Sequence, residues 1–299
     1  MRVSYTPEYV VPLPEGHPFP MGKFSALYRI LLAEGLLRPS DIIEPDEADW
    51  ATLGLVHTPT YLHRLATGTL DRASLRRMGL PWSRRLVRRS RLAVQGTIQA
   101  ARMALEDGIA ANLAGGTHHA FADHGEGFCV LNDVAVAIRR LQRDGRVQRA
   151  LVIDLDVHQG NGTAAIFQGD RTVYTFSMHG ENNYPFQKQR SSRDVNLPDG
   201  TDDALYLAAL RKYLPEVFEE ARPDVAFYLA GVDPVAGDRY GRLRLTRQGL
   251  HERDRYVLES ARRRGVPLVL VLSGGYARTP EVTADLHAIV HREARAIFG

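Results

Sequence analysis

"RALVIDLDVHQGNG" spans Arg149 to Gly162. Its first half, from Ala150 to Ile153, is apolar without alternation. Two aspartates and a histidine then arrive at period two: Asp154, Asp156 and His158. A strand buried on one face alternates apolar and polar residues, whereas an unbroken apolar run reads as a strand covered on both faces, as in a parallel sheet. Period two also places the three polar residues on one face of an extended chain. Two carboxylates and an imidazole crowded together are costly unless a cation neutralises them.

Three more runs share this character: "RTVYTFSM" (171–178), "DVAFYLAGVD" (224–233) and "PLVLVLSGG" (267–275). "MRVSYT" at the start and "GIAANLAGG" (108–116) are weaker strand candidates. Helical patterns lie between them. "MGKFSALYRILLAEGLL" ends near Gly35, "SRLAVQGTIQAARMALEDG" closes at Gly108, and "NDVAVAIRRLQRDG" closes at Gly145. The glycines are helix stops. "DDALYLAALRKYLPEVFEEARP" and "TRQGLHERDRYVLESARRRG" complete the series. The alternation predicts an α/β fold, a mostly parallel open sheet flanked by helices. The strong runs end in Asp154, Asp156 and His158, in Ser177 and His179, in Asp233, and in Gly274, Gly275 and Tyr276. Open α/β sheets bind ligands beyond the carboxyl ends of their strands, so one site is expected there.

A chain of 299 residues fits one domain, 1–299. With 44% hydrophobic and 24% charged residues it reads as an ordinary globular protein. The N-terminal stretch lacks the apolar core of a signal peptide, and "VPLVLVL" is too short to span a bilayer. A cytoplasmic protein with no membrane partner is expected. The single cysteine, Cys129, excludes an internal disulfide and a cysteine-rich zinc site. It reads as a buried small hydrophobe. The net charge of +3 points to no direct nucleic-acid binding. Arginines do cluster in "LRRMGLPWSRRLVRRSRLAV" (75–94). The favoured reading is a solvated helix face beside a loop; the sharper one is a basic rim for acidic or phosphorylated partners.

The residues themselves suggest a metal centre. With Asp233 supplied by a neighbouring strand end, Asp156 and His158 form a three-ligand set that leaves a position open for water. Such an oxygen-rich set suits Zn²⁺ and also Fe²⁺ or Co²⁺. Asp-x-Asp after a strand also serves magnesium-dependent phosphatases and glycosyltransferases. Neither accounts for the doublet His118–His119 in "GGTHHAFADHGEGFCVLND", which begins at Gly115. Two neighbouring imidazoles suit proton transfer, one from water and one to a leaving amine, if their partners give them different basicity. Asp154, left off the metal, would hold one of them as an imidazolium. Tyr276 beside its two glycines would donate a hydrogen bond to a developing oxyanion.

Taken together, "GGTHHA", "GEGFCVLND", "DLDVHQGNG", "FSMHG", "LAGVDPVAGDRYGRL" and "LSGGY" resemble the zinc-dependent histone deacetylase superfamily, with its arginase–deacetylase fold. "HPFPMGKF", "VHTPTYL" and "GDRYGRLRLT" look most like the class IV branch and its bacterial relatives. The resemblance implies Asp156, His158 and Asp233 as ligands of Zn²⁺. It implies His119 as general base and acid, His118 paired with Asp154 as the charged partner, and Tyr276 as the group polarising the carbonyl. Gly127 and Phe128 match one wall of an acyl-lysine tunnel, with Tyr184 opposite. Asn161 stands behind His119 where some members have an aspartate, which should lower that histidine's basicity. K⁺ sites are implied too: an inner one at Asp154 and Ser177 with backbone oxygens of Asp156, His158 and Met178, and an outer one near Phe167, Asp170 and Val173. Where other branches carry an arginine near the start, this chain has His17, Pro18 and Lys23. The implied reaction is hydrolysis of an N-acyl amide, on an acyl-lysine protein or a small acylated amine such as an acetylpolyamine; longer acyl chains are also within the resemblance. A catalytically weak acyl-lysine-binding protein is the remaining alternative. The sequence leaves the oligomeric state open.

Overall fold

The computed structural model describes residues 1–299. The four strong apolar runs become strands β4 (Ala150–Asp154), β5 (Val173–Gly180), β7 (Val225–Leu229) and β8 (Leu268–Val271). The weaker candidates become β1 (Arg2–Ser4) and β3 (Ile109–Asn112). Two edge strands were not expected, β2 (Ile42–Ile43) and β6 (Arg193–Leu197). The eight form one sheet in the order β2-β1-β3-β8-β7-β4-β5-β6. Every strand pair in it is parallel, so the "mostly parallel" expectation understates the regularity. β3, β4, β7 and β8 are buried at every residue, as their unbroken apolar character requires.

Ten helices cover the faces: α1 (Lys23–Ala33), α2 (Trp50–Leu53), α3 (Pro59–Thr67), α4 (Arg72–Met78), α5 (Arg84–Asp107), α6 (Asp133–Arg143), α7 (Asn161–Ile166), α8 (Asp203–Ala221), α9 (Arg247–Arg263) and α10 (Pro280–Phe298). Side-chain caps set most of their starts. Ser83 accepts from Leu86 N at α5, Asn132 from Ala135 N at α6, and Thr279 from Val282 N at α10, where Pro280 fits the first turn. Gly108 ends α5 in the left-handed conformation, as the sequence suggests.

The start of α5 needs correction. It begins at Arg84 rather than near Ser90 and so takes in most of the arginine-rich stretch. That stretch is not simply a solvated face. Arg88 and Arg91 are ion-paired to Glu8 and Glu47. Arg89 is buried: its Nε donates to Tyr9 O at 3.0 Å, and its guanidinium lies 4.8 Å from the centre of the Phe24 ring. No helix is long and apolar enough to cross a membrane.

The strand order brings β3, β8, β7 and β4 side by side at the middle of the sheet. Their carboxyl ends lead into the segments 115–119, 273–276, 231–233 and 154–158, which carry the expected cation ligands Asp156, His158 and Asp233 together with His118, His119, Asp154 and Tyr276.

Candidate active site

Beyond β4 the chain turns so that Asp156, His158 and Asp233, from the segment after β7, converge, all buried, with one ligand atom from each within 4.8 Å of the others. His158 Nδ1 lies 2.9 Å from Asp156 Oδ1 and 3.2 Å from Asp233 Oδ2. The other carboxylate oxygens are committed. Asp156 Oδ2 accepts from Ser273 Oγ and Gly274 N, both at 2.7 Å, and Asp233 Oδ1 accepts from Val157 N at 2.9 Å. Asp233 Oδ2 is buried without a hydrogen-bond donor. A Cβ at Gly274 would stand 2.0 Å from that oxygen and 2.6 Å from Asp156 Oδ2, so glycine keeps the cradle open. Burial and the nearby Asp156 raise the Asp233 carboxyl to about 7. Burial opposes charge on His158, but the two carboxylates outweigh it and raise the imidazole to about 10. An orphaned oxygen, a crowded carboxylate pair and an imidazole drawn towards positive charge together fit a divalent cation.

His118 and His119 both face this cluster because Gly115–Ala120 is neither strand nor helix. Asp133, the first residue of α6, ties the segment down by accepting from Gly116 N at 3.1 Å and Thr117 N at 2.8 Å. The two rings lie 4.1 Å apart, centre to centre, yet their partners differ. His118 Nδ1 donates to Asp154 Oδ2 at 2.7 Å. Burial disfavours its charge, but Asp154 and Asp156 outweigh that and raise it to about 9. His119 Nδ1 donates to Asn161 Oδ1 at 2.7 Å, which leaves Nε2 as the acceptor. Burial, and the positive charges of His118 and His158, hold His119 well below 6.5. One histidine is charged and the other neutral at neutral pH.

Tyr276 follows Gly275 in the irregular segment beyond β8. Asp238 Oδ2 accepts from its backbone N at 2.7 Å, and its ring packs edge-on against Tyr240 at 5.0 Å. Its hydroxyl makes no hydrogen bond to the protein. Burial, with Asp156 and Asp233 nearby, raises its pKa well above 10, so the phenol stays a donor. Phe128, Tyr184, Tyr240 and Tyr276 line an outer chamber of about 280 Å³ with His119 and His158 at its floor. Phe128 takes a left-handed φ of 66° and Gly127 one of 54°. At Gly127 a Cβ would come within 2.7 Å of His119 Cδ2, so the wall needs glycine beside the histidine.

A family profile described as histone deacetylase domain matches residues 17–292. The chain belongs to the histone deacetylase family. It is 49% identical over 296 residues to an uncharacterised protein of Picosynechococcus sp., covering 99% of each chain. It is 34% identical to Histone deacetylase 2 of Arabidopsis thaliana, over 90% of this chain and 72% of the relative. A probable deacetylase of Methanothermobacter thermautotrophicus is 30% identical over 92% of this chain and 86% of its own. Among solved structures, an HDAC homolog complexed with SAHA superposes with a TM-score of 0.83 at 28% identity, over 99% of this chain and 84% of that one. The fold is therefore that of the deacetylases, and the family's chemistry is hydrolytic deacetylation.

Other expectations have definite places in this deacetylase fold. Asp154 and Ser177 are register partners across β4 and β5, and the carbonyl of Phe167 accepts from Asp170 N at 3.0 Å near the start of β5 at Val173. Ser177 Oγ is hydrogen-bonded to His179 Nδ1 at 2.9 Å. Cys129 is buried, and burial raises its thiol pKa, which disfavours the reactive thiolate. Lys23 is fully buried. Its Nζ donates to Ser273 O at 2.8 Å, and burial lowers its pKa to about 8. With Arg89 it lines an inner cavity of about 40 Å³ behind His118 and His119. Arg89 of α5 thus brings a guanidinium to the lining of this cavity.

Glu126 was missed. It lies 35 residues from Asn161 and 58 from Tyr184 in sequence, and no spacing signals the contact. Its Oε1 accepts from Asn161 Nδ2 at 2.7 Å and from the Tyr184 hydroxyl. Its Oε2 lies 3.4 Å from His124 Nε2. Burial opposes charge on Glu126, yet the bonds from His124, Tyr184 and Asn161 prevail and keep it an anion. Because Glu126 demands a donor, the Asn161 amide must turn its oxygen towards His119.

Proposed function

We propose that this protein hydrolyses N-acyl amides, acyl-lysine before other substrates, with a divalent cation held by Asp156, His158 and Asp233. The observation that carries the proposal is the buried, donor-free Asp233 oxygen beside His158, the residue that lines a chamber also holding a neutral imidazole and an uncommitted phenol. Zn²⁺, Fe²⁺ or Co²⁺ at such a set supplies a Lewis acid and makes nearby water acidic.

The chain's own residues do the rest. His119, neutral and with Nδ1 donating to Asn161, takes a proton from the attacking water at Nε2. The Tyr276 hydroxyl donates to the amide oxygen as negative charge develops on it. His118, held charged by Asp154, stabilises that negative charge and restrains His119 from becoming protonated too early. The proton taken by His119 then passes to the leaving amine. Gly127, Phe128 and Tyr184 flank the acyl-amine stem and exclude water. Asp154 and Ser177 are the proposed side-chain contribution to an inner K⁺ site, and the loop at Phe167, Asp170 and Val173 is the proposed outer one.

The test is a panel of acetyl- and longer acyl-lysine peptides, with N-acetylpolyamines as the small-amine arm, assayed by amine release. Hydrolysis of acyl-lysine peptides at rates above those of the polyamines supports the proposal. A polyamine preference would move the substrate class to small amines, and no amine release from any member would overturn the reading.

A further inference from the structure

Arg76 and Arg77 close the helix α4 and line the outer chamber with Gly79, Tyr184, Tyr240 and Tyr276. Both are exposed, and neither guanidinium has an ion-pair or hydrogen-bond partner. They are held in place through the backbone. Arg77 O accepts from Gly127 N at 3.1 Å, and Met78 O accepts from Phe128 N at 2.8 Å, so the end of α4 is tied to the chamber wall. His17 Nε2 lies 3.0 Å from Gly79 O on the same turn. No carboxylate lines the chamber. Of the acids near it, Glu126 is satisfied by Asn161, Tyr184 and His124, and Asp238 by the backbone N–H groups of Tyr240, Gly241 and Tyr276, while Asp156 and Asp233 lie deeper, around His158. By contrast, Arg88 and Arg91 of the same stretch are neutralised by Glu8 and Glu47.

We propose that Arg76 and Arg77 make the mouth of the site selective for acylated amines that carry a carboxylate or phosphate close to the scissile amide. This rests on the amide-hydrolysis reading above. Two guanidiniums beside a cleft concentrate anions and pair with carboxylate or phosphate oxygens in fork geometry. A polycationic amine meets like charge at the same place. The anion comes from one of two sources: acidic residues flanking an acyl-lysine, or a carboxylate on a small acylated amine.

The test uses the full chain and peptides that differ only in the residues flanking acetyl-lysine: two glutamates, two glycines or two lysines. N-acetyl-6-aminohexanoate and N-acetylputrescine form the small-molecule arm. Each exposed pair is expected to change kcat/KM by about two- to fivefold, so the acidic-to-basic ratio should reach about tenfold or more at low salt. It should shrink towards unity above roughly 0.5 M salt. Arg76→Gln/Arg77→Gln should abolish the ratio and Arg76→Glu/Arg77→Glu should invert it. A preference confined to one arm identifies the source and supports the proposal. An acidic-to-basic ratio within twofold in both arms, or one that survives charge reversal, overturns it. Fluorescence anisotropy of the same labelled peptides reads the charge preference even if none is cleaved. Tighter binding of the acidic peptide then supports this proposal while the absence of amine release counts against hydrolysis, and equal binding overturns this proposal alone.

Discussion

Replacing Asn161 by aspartate probes how the site sets its base. The amide bridges two unlike partners: Oδ1 lies 2.7 Å from His119 Nδ1, and Nδ2 lies 2.7 Å from Glu126 Oε1. Asn161→Asp turns the second contact into carboxylate against carboxylate. At that separation two unit charges repel by about 6 kcal/mol at an effective dielectric constant near 20, so the pair takes up a proton or moves apart. Either way the charge-assisted bond to Glu126 is altered, at about 1.5–3 kcal/mol, and His119 loses its fixed orientation. The expected result is a fall in kcat of about tenfold to a hundredfold on an acetyl-lysine peptide at saturating concentration. The double variant Asn161→Asp/Glu126→Gln places an amide donor opposite the new carboxylate and should recover at least tenfold of the loss. Melting temperature and metal content measured alongside separate this effect from unfolding. A single variant within threefold of wild type or faster, or a double variant no better than the single, would show that the Glu126–Asn161 bond does not set the base.

Tyr276→Phe should lower kcat by about a hundredfold to a thousandfold with little change in KM, because the hydroxyl acts on the transition state. Its melting temperature should stay within about 2 °C, since that hydroxyl holds no protein partner; a kcat within threefold removes Tyr276 from the reaction. His119→Ala should cost at least about a hundredfold in rate while keeping its metal, and stoichiometric metal loss would make His119 a ligand instead. His291, buried on α10 with neither ring nitrogen hydrogen-bonded, has its pKa lowered by burial to about 4. The unfolded chain therefore binds this proton first, near 6.5, and the stability present above that pH is lost as pH falls towards 4. His291→Leu should remove about 2 kcal/mol of the stability change between pH 7.5 and pH 5 in urea melts, and parallel curves for variant and wild type would contradict it.

The middle of the sheet was legible because β4, β5, β7 and β8 combine unbroken apolar runs with polar ends, and burial on both faces leaves no other reading. β6 was not, because "RDVNL" is half polar and finds its place only by pairing Phe176 with Arg193 and its successors along β5. β2 has two residues and pairs only with β1. The first turns of α5 were obscured by arginines that hide its apolar stripe, although Arg89 is itself a buried residue of that helix. The Asp156, His158 and Asp233 cluster was legible as polar residues following the apolar runs of β4 and β7, although the chain turns beyond Asp154 instead of staying extended as the period-two reading assumed. The Glu126 contacts and the buried Arg253, whose Nη1 donates to Gly231 O at 2.6 Å behind the site, were not. Both join residues far apart in sequence, and neither motif nor period marks them.

If Asp156, His158 and Asp233 hold the cation on which hydrolysis depends, bound ion and activity must rise and fall together. Elemental analysis and amine release are measured together on the same samples: protein as purified, protein after chelation, chelated protein resupplied with Zn²⁺, Co²⁺ or Fe²⁺, and Asp233→Ala. About one divalent ion per chain is expected in the active samples, with loss of ion and activity together on chelation, recovery of both on resupply, and neither in Asp233→Ala. Full hydrolysis by a sample shown to contain no divalent metal, or a full complement of metal in Asp233→Ala, would contradict it.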